Sequence, residues 1–255
     1  MAAEAAELQI DRTFAPEQAA TRLVMSTTLE LTTEAAGTQS AFTGARSAET
    51  TYPALKRLLD LALALLAIVA LAPVFAVIAV SIVVDSGFPI LYRQERVGRN
   101  GCRFPILKFR SMRAGANSQV HVEYVQSLLR AEAPCARGLY KIGGDKRVTR
   151  VGSFLRRSSL DELPQLWNVV RGEMSLVGPR PDVPYSVEEY APWALRRFEV
   201  QPGITGLWQV SGRSKLSIQE MLRLDVAYVD RRSLRLDIEI LLRTIPAVIS
   251  KSGAA

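Results

Sequence analysis

The stretch that most restricts the fold is a run of 24 residues without a charge, LALALLAIVALAPVFAVIAVSIVV, from Leu61 to Val84. As a helix it would reach about 36 Å, against roughly 30 Å for the hydrocarbon core of a bilayer. Pro73 divides it into halves of 12 and 11 residues, each close to the depth of one leaflet. A buried helix of a soluble core is the alternative, but the near absence of polar atoms favours membrane insertion.

Basic residues flank this run on both sides. Lys56 and Arg57 precede it, and four arginines follow it between Arg93 and Arg103. Because basic flanks are retained on the cytoplasmic side, both ends favour the same side of the membrane. A helix that breaks at Pro73 and re-emerges, a re-entrant hairpin, satisfies both flanks. A kinked helix that spans the bilayer is the second interpretation.

Charge is distributed unevenly along the 255 residues, whose net charge is +7. Residues 1–50 carry net −4, so the remaining residues carry +11. A basic body indicates an anionic partner: phosphates, nucleic acid or membrane lipid. Residues 1–52, rich in Ala, Thr and Glu, are predicted to form a disordered tail. Their start does not have the pattern of a signal peptide, so we expect the body to stay in the cytoplasm or at its membrane.

The chain has few cysteines and histidines. Cys102 and Cys135 are not in a metal-binding or disulfide spacing, and His121 is the single histidine. A multi-histidine metal site is therefore excluded. Acid–base or nucleophilic chemistry falls to carboxylates.

An adjacent acid pair, Asp161 and Glu162, lies within RRSSLDELPQLWNVV. Pro164 is tolerated only in the first turn of a helix, so a helix is expected to begin here with Asp161 as its N-cap. A second frame has Ser159 as the cap and Glu162 as its capping-box partner. In either frame a carboxylate is favoured by the helix dipole, and Asp161 should be ionised. Such an acid either only caps a helix or acts as a nucleophile or metal ligand.

Arg180 lies between two prolines in Gly178-Pro179-Arg180-Pro181. Each proline makes the residue before it extended, which fixes the backbone on both sides of the arginine. A rigid surface turn is one interpretation. The other is a guanidinium that is held ready to bind phosphate.

Two short strands are predicted around Gly98-Arg99-Asn100-Gly101, because Asn-Gly is a strong hairpin signal. Lys108 lies on the second strand, either as a solvated edge lysine or as a functional cation.

Three later segments are predicted as follows. Residues 184–200 form an amphipathic helix whose aromatic residues and arginines, among them Arg196 and Arg197, suit either a membrane interface or core packing. Residues 202–206 form a tight turn. Residues 233–250 form a helix whose apolar face packs on the body or lies in the interface.

The segment from Arg156 to Pro181 resembles the signature of bacterial sugar transferases. These are monotopic phosphoglycosyl transferases, which move a sugar phosphate onto polyprenyl phosphate. Further matches are KFRSM at 108–112, DKRVT at 145–149, PGITG at 202–206 and GR at 212–213. They follow the order of the family and extend the resemblance from about residue 56 to residue 249.

The resemblance implies a mechanism and a set of site residues. Asp161 would be the nucleophile that attacks the phosphorus next to the sugar, and Glu162 would help to hold Mg²⁺ with it. Phosphate-contacting and other functional positions are implied at Lys108, Arg156, Arg180, Arg213 and Asp237. Mg²⁺ prefers carboxylates together with substrate phosphates, which suits a chain with one histidine.

The fold expected is therefore α+β and mainly helical. A re-entrant membrane helix at residues 53–85 precedes a cytoplasmic catalytic domain at 86–250, with a small β-hairpin and amphipathic interfacial helices. The expected location is the cytoplasmic face of the inner membrane. The expected partners are a nucleotide diphosphate sugar, such as a UDP-sugar, polyprenyl phosphate and membrane lipid, without nucleic acid and with a homodimer as one alternative.

Two other functions compete with this one. A membrane-anchored polyanion-binding protein would use the basic body without catalysis, but it has no need of Asp161. A CDP-alcohol phosphotransferase would carry several spaced aspartates in membrane helices, and the apolar run here contains none.

Overall fold

The computed structural model describes residues 45–113, 147–212 and 216–249. Residues 1–44 of the predicted tail, and Arg213, lie outside these ranges. The helices are α1 (Ala45–Ala70), α2 (Ala72–Ser86), α3 (Arg150–Ser158), α4 (Gln165–Arg171), α5 (Pro184–Val187), α6 (Leu207–Ser211), α7 (Ile218–Arg231) and α8 (Leu234–Ile249). The strands are β1 (Leu91–Val97), β2 (Arg103–Phe109), β3 (Ser175–Val177) and β4 (Gly203–Thr205).

The apolar run folds as the end of α1 and the whole of α2, bent by 60° at Leu71. Pro73 lies in the first turn of α2, where its missing N–H costs no helical hydrogen bond. Within the described ranges, no helix taken singly has the length and apolar character to cross a membrane. The bent pair Tyr52–Ala70 and Ala72–Ser86 meets that test by length and composition alone. The re-entrant topology stays a prediction.

Side chains at both ends of this helix pair are bonded to the rest of the protein. Arg57 of α1 donates to the carbonyls of Val169 and Val170 at 2.6 and 3.0 Å. Buried Arg110 donates to the Ser86 carbonyl at 2.7 Å and so satisfies the C-terminal end of α2. The basic residues around the apolar run therefore contact protein as well as contributing charge.

The predicted β-hairpin is confirmed: β1 and β2 pair antiparallel from Leu91–Phe109 to Val97–Arg103. Asn100 and Gly101 both have positive φ, 56° and 76°, at the centre of the turn. Asn-Gly tolerates this left-handed geometry, which matches the twist of the two strands. The hairpin places Lys108 near the end of β2.

The prediction of a tight turn at residues 202–206 is wrong, because β4 extends there and pairs with β3 in parallel. The Gly178 amide donates to the Thr205 carbonyl at 2.9 Å, and the Gly203 amide donates to the Pro179 carbonyl at 2.8 Å. A Cβ at Gly203 would collide with the Gly178 backbone. The glycines therefore permit the close approach of two backbones, which a single-sequence turn pattern does not reveal.

The single helix predicted over residues 184–200 is also wrong. The short helix α5 is separated from a 3-10 helix, Pro192–Glu199, by a non-helical break. Pro192 explains the break, since it disfavours a helical conformation in the residue before it.

Helix α8 is present as predicted, but its apolar stripe is not its packed face. Ile238, Leu242 and Ile245 are 52, 63 and 59% exposed, whereas Asp237 and Ile240 are buried. Whether the exposed stripe lies in a membrane interface stays a prediction.

The main core joins the apolar helix pair to the body. Ala64 of α1 lies in one cluster with side chains from β2, α4, β3, α7 and α8. The chain divides into two units, Met1–Thr51 and Tyr52–Ala255, so the predicted segments 53–85 and 86–250 share one compact unit. The mainly helical fold with small strand pairs is confirmed.

Candidate active site

The acid pair lies in a 3-10 turn, Leu160–Glu162, between α3 and α4. Neither predicted capping frame is observed. Ser159 has a left-handed backbone with φ of 58° and makes no side-chain cap, and the residue before α4 is Pro164. The turn instead closes on backbone bonds, with the Glu162 amide 3.2 Å from the Ser159 carbonyl. Asp161 and Glu162 are thus presented by a tight turn rather than by a helix start.

Two cationic side chains form ion pairs with Glu162. Lys108 Nζ lies 3.2 Å from Oε1, and Arg180 forms a two-pronged pair in which Nη1 lies 3.1 Å from Oε2 and Nη2 contacts Oε1. The three side chains are 17, 18 and 24% exposed for Lys108, Glu162 and Arg180. This site cluster, Lys108–Glu162–Arg180, joins β2, the acid-pair turn and the loop after β3.

Opposing effects set the protonation states in the site cluster. Burial favours the neutral acid, yet Arg180 and Lys108 hold the pKa of Glu162 well below its usual range. Burial lowers the pKa of Lys108, against the attraction of Glu162. Burial would also lower the pKa of Arg180, but the Glu162 carboxylate raises it. The charge of Asp161 acts on both cations, so Asp161 lies within their electrostatic reach.

The backbone of Arg180 is held by a buried arginine. Arg197 Nη2 donates to the Arg180 carbonyl at 2.8 Å and to Asp225 Oδ2 at 2.6 Å, and its Nη1 pairs with Asp182. Arg197 therefore contributes to the site from the core, whereas the sequence suggested an interfacial or packing role shared with Arg196. Only Arg196 is exposed.

The pKa values of the two carboxylates around Arg197 shift in opposite directions, although burial favours the neutral acid at both. Burial raises the pKa of Asp225 to about 7, and Oδ1 of this residue has no hydrogen-bond partner among the described residues. Burial would also raise the pKa of Asp182, but Arg197 and the Tyr190 hydroxyl hold it below the usual value. Neither Asp182 nor Asp225 was recognised from the sequence, because both signals depend on burial.

The model of the family described as bacterial sugar transferase matches residues 51–251. This chain belongs to that family. It is 48% identical over 204 residues to the UDP-galactose-lipid carrier transferase of Erwinia amylovora, covering 78% of this chain and 41% of that protein. It is 43% identical over 199 residues to the exopolysaccharide production protein ExoY of Sinorhizobium fredii, covering 78% and 87%.

A third curated relative is the undecaprenyl-phosphate galactose phosphotransferase of Salmonella typhimurium, at 41% identity over 204 residues, 78% of this chain and 41% of that protein. The sugar transferase chain spans about two fifths of the length of the Erwinia and Salmonella relatives. It spans most of ExoY.

Arg156 and Asp237, the other predicted site residues that the structure describes, lie outside the site cluster. Arg156 lies in the last turn of α3, a few residues before the acid pair. Asp237 is buried on α8, where its oxygens accept from Tyr52 at 3.0 Å, Lys56 at 2.9 Å and Tyr228 at 2.7 Å. The structure brings Asp161, Glu162, Lys108 and Arg180 together. It places Asp237 in this separate polar cluster.

The candidate site offers few protein side chains that could bind a divalent cation. No group of three or more acidic, histidine or cysteine side chains occurs within the described ranges that could hold a metal. Mg²⁺ needs only one or two carboxylates when substrate phosphates supply the other oxygens. Both oxygens of Glu162 are engaged by cations, so Mg²⁺ could bind Glu162 only in exchange for one of these contacts. The prediction that Asp161 and Glu162 hold Mg²⁺ stays a prediction.

Proposed function

We propose that this sugar transferase moves a sugar 1-phosphate from a UDP-sugar to polyprenyl phosphate. The products are a polyprenyl diphosphate sugar and UMP. The observation that carries the proposal is the placement of Asp161 beside two partly buried cations, Lys108 and Arg180, which are fixed by Glu162. The printed names of the relatives, which include a UDP-galactose-lipid carrier transferase and an undecaprenyl-phosphate phosphotransferase, support the same donor and acceptor classes.

The first step is a displacement at the phosphorus that carries the sugar. An oxygen of Asp161 forms a new P–O bond while the bond from that phosphorus to the bridging oxygen breaks. The bridging oxygen leaves with its electron pair on UMP. In the second step an oxygen of polyprenyl phosphate attacks the same phosphorus and releases the Asp161 carboxylate, which divides one displacement into two.

The cations neutralise the charge that gathers on the phosphoryl oxygens. Guanidinium groups bind phosphates through two parallel bonds, and an ammonium binds as a compact charge. Arg180 and Lys108 are already oriented by Glu162, so little reorganisation is needed when substrate arrives. Arg156, close to the acid pair in sequence, and Arg213 are assigned to further phosphate contacts.

Glu162 acts mainly as the group that orients the two cations. Its predicted role as a ligand of Mg²⁺ requires one carboxylate oxygen to leave Arg180 or Lys108. Mg²⁺ bound by Asp161 and the donor diphosphate would supply Lewis-acid neutralisation of the leaving phosphate.

We propose that the reaction takes place at the cytoplasmic face of the inner membrane, because the acceptor is a lipid and the basic flanks of the apolar run favour that side. An apolar groove of about 540 Å³ lies between the bent helix pair and the acid-pair turn, with Phe75, Phe109 and Trp167 among its lining side chains. Leu163 and Pro164, which directly follow Glu162, line it as well. We assign this groove to the first isoprene units of the acceptor, because its lining combines side chains of the apolar helices with Leu163 and Pro164, which follow the acid pair in the chain.

The proposal is tested by incubating the purified protein with polyprenyl phosphate and a panel of UDP-sugars, and measuring UMP release. We expect UMP release with one or a few sugars, and none in Asp161→Asn. Wild-type protein should carry a sugar phosphate adduct in intact-mass spectra when the acceptor is omitted. Asp230→Asn, at an exposed carboxylate that pairs with Arg196, is the matched control and should turn over normally.

Two outcomes would contradict the proposal. Substantial turnover by folded Asp161→Asn would remove Asp161 as nucleophile. Binding of the polyanionic substrates without any UMP release, across the whole panel, would favour the polyanion-binding alternative.

A further inference from the structure

An acidic side chain from the first apolar helix binds the strand that leads to Arg180. Asp60 of α1 is buried, its Oδ2 lies 2.7 Å from Ser175 Oγ, and its Oδ1 accepts the Leu176 amide at 3.1 Å. Ser175 and Leu176 are the first two residues of β3. One carboxylate therefore holds both a side chain and a backbone amide of a three-residue strand.

Strand β3 needs such support because its own pairing is short. Among the described strands it pairs with β4, in a register defined by two residue pairs, Ser175–Gly203 and Val177–Thr205. A short ladder specifies its position only weakly. The bonds from Asp60 fix the strand relative to α1.

A second set of contacts from α1 reaches the other end of β3. Lys56 lies 2.9 Å from Asp237 and 4.0 Å from Asp60. The Tyr228 hydroxyl lies 2.7 Å from Asp237 Oδ1 and 3.2 Å from the Val177 carbonyl. Lys56 is thus bonded into the same polar network that surrounds the strand.

Movement of β3 would be transmitted to Arg180 over a short and stiff segment. Val177 is followed by Gly178 and Pro179, which are both buried, and then by Arg180. Both Gly178 and Pro179 are also bonded to β4. The Gly178 amide donates to the Thr205 carbonyl at 2.9 Å, and the Pro179 carbonyl accepts from the Gly203 amide at 2.8 Å. Arg180 has little freedom to recover its position if the strand shifts.

We propose that Asp60 is a positioning residue for Arg180, acting through β3. This inference rests on the proposed function, because the effect of changing Asp60 is measured as a change in sugar phosphate transfer. The carboxylate directly precedes the uncharged run that begins at Leu61, and burying a polar group is costly unless it is fully bonded. Its bonds to Ser175 and Leu176 supply that compensation and place the guanidinium against Glu162.

The test compares steady-state kinetics of Asp60→Ala and Asp60→Asn. Alanine removes the acceptor of the Leu176 amide and one partner of the Ser175 hydroxyl, which keeps its bond to the Val177 carbonyl at 2.9 Å. We expect kcat to fall about tenfold or more, with KM for the UDP-sugar changed less. Asparagine can still accept from Leu176 and bond Ser175, so it should restore most of the activity. Ser175→Ala, which removes one of the bonds from the other side, is a second variant if Asp60→Ala does not fold.

A double-mutant cycle with Arg180→Lys separates positioning from general destabilisation. If Asp60 acts through Arg180, Asp60→Ala should cost no more than about twofold in the Arg180→Lys background. An equal loss in both backgrounds would overturn the proposal. Ser217→Ala, which removes the capping box of α7, is a control for lost stability and should keep kcat within about twofold of wild type.

These results distinguish the inference from the function on which it rests. If the wild type releases no UMP from any UDP-sugar, the proposed function fails. If the wild type is active and Asp60→Ala is equally active, the role of Asp60 alone is overturned.

Discussion

Arg180 shows why the chemical type of a side chain matters more than its charge. Its guanidinium bonds both oxygens of Glu162, and Lys108 adds a third contact to the same carboxylate. Each of these residues is a candidate from the sequence alone. Their pairing required the tertiary structure, because β2, the acid-pair turn and the loop after β3 are far apart in the chain.

We expect Arg180→Lys to lower kcat/KM by well over about tenfold, because an ammonium cannot reproduce two parallel bonds to a carboxylate or phosphate. Steady-state UMP release measures the effect. Arg196→Lys is the matched control, since Arg196 is an exposed arginine that is also paired with acids. Near-wild-type kinetics for Arg180→Lys would remove Arg180 from the site.

Asp225 should make the stability of the protein depend on pH. Burial raises its pKa to about 7 from an ordinary value of 3.8, so the folded state binds a proton more tightly than the unfolded state. Its contribution to stability is therefore fully present below pH about 4 and is lost as the pH rises to about 7.

The measurement for Asp225 is Tm between pH 4 and 8. Relative to wild type, Asp225→Asn should become progressively more stable as the pH rises to about 7, because an amide imitates the protonated acid. Asp230→Asn, at an exposed site, should show no such trend. Parallel Tm curves for wild type and Asp225→Asn would contradict the assignment.

At the scale of elements, the bend at Leu71 separates two helices that a single apolar run could have joined. Pro73 begins the second helix because its ring fits only a first turn. Removing it should therefore favour one straight helix, with a free-energy gain of roughly 3 kcal/mol for the uninterrupted conformation.

We expect Pro73→Leu to divide the protein between two topologies, since the long apolar run favours crossing and the basic residues after it oppose crossing. Exposed Cys102 is a natural reporter for the region after the apolar run. Thr50→Cys reports on the region before the run. Cys135 is replaced by alanine so that only these two thiols react. Impermeant thiol reagents applied to oriented vesicles should label both sites from the cytoplasmic side in the proline-containing protein. In Pro73→Leu, a fraction of residue 50 should be labelled from outside.

The opposite result is also informative. If residue 50 is already labelled from outside when Pro73 is present, the helix pair spans the membrane and the re-entrant prediction is wrong.

At the scale of the whole molecule, the apolar helices and the body belong to one compact unit, Tyr52–Ala255. Ala64 lies in the main core, Asp60 bonds β3, and Arg57 bonds the end of α4. These contacts join the two predicted segments, 53–85 and 86–250, whose division into a membrane helix and a catalytic domain stays a prediction.

A truncated chain that starts at residue 87 should not fold cooperatively, even in detergent, because it loses core contacts and leaves the partners of Asp60 and Arg57 unpaired. Denaturant titration followed by tryptophan fluorescence should show no sigmoidal transition. A chain that starts at Tyr52 is the control and should unfold cooperatively. Cooperative unfolding of the shorter chain would show that the body folds alone.

Local sequence determined the features whose causes lie within a few residues. The Asn100-Gly101 turn follows from backbone preferences, the start of α2 follows from Pro73, and the family follows from an ordered series of motifs. For the turn and the helix start the physical cause is steric and acts between neighbouring residues. For the family the order of the motifs is enough, so one sequence is sufficient to find all three features.

Only the tertiary structure decided which faces are buried and which charges meet. Arg197 and Arg196 are neighbours in a similar pattern, yet one is buried between two carboxylates and the other is exposed. The packed face of α8 carries Asp237 rather than the apolar stripe, because Tyr52, Lys56 and Tyr228 satisfy that acid from distant parts of the chain. Burial of a polar group is favourable only when partners are supplied, and those partners are brought together by the fold.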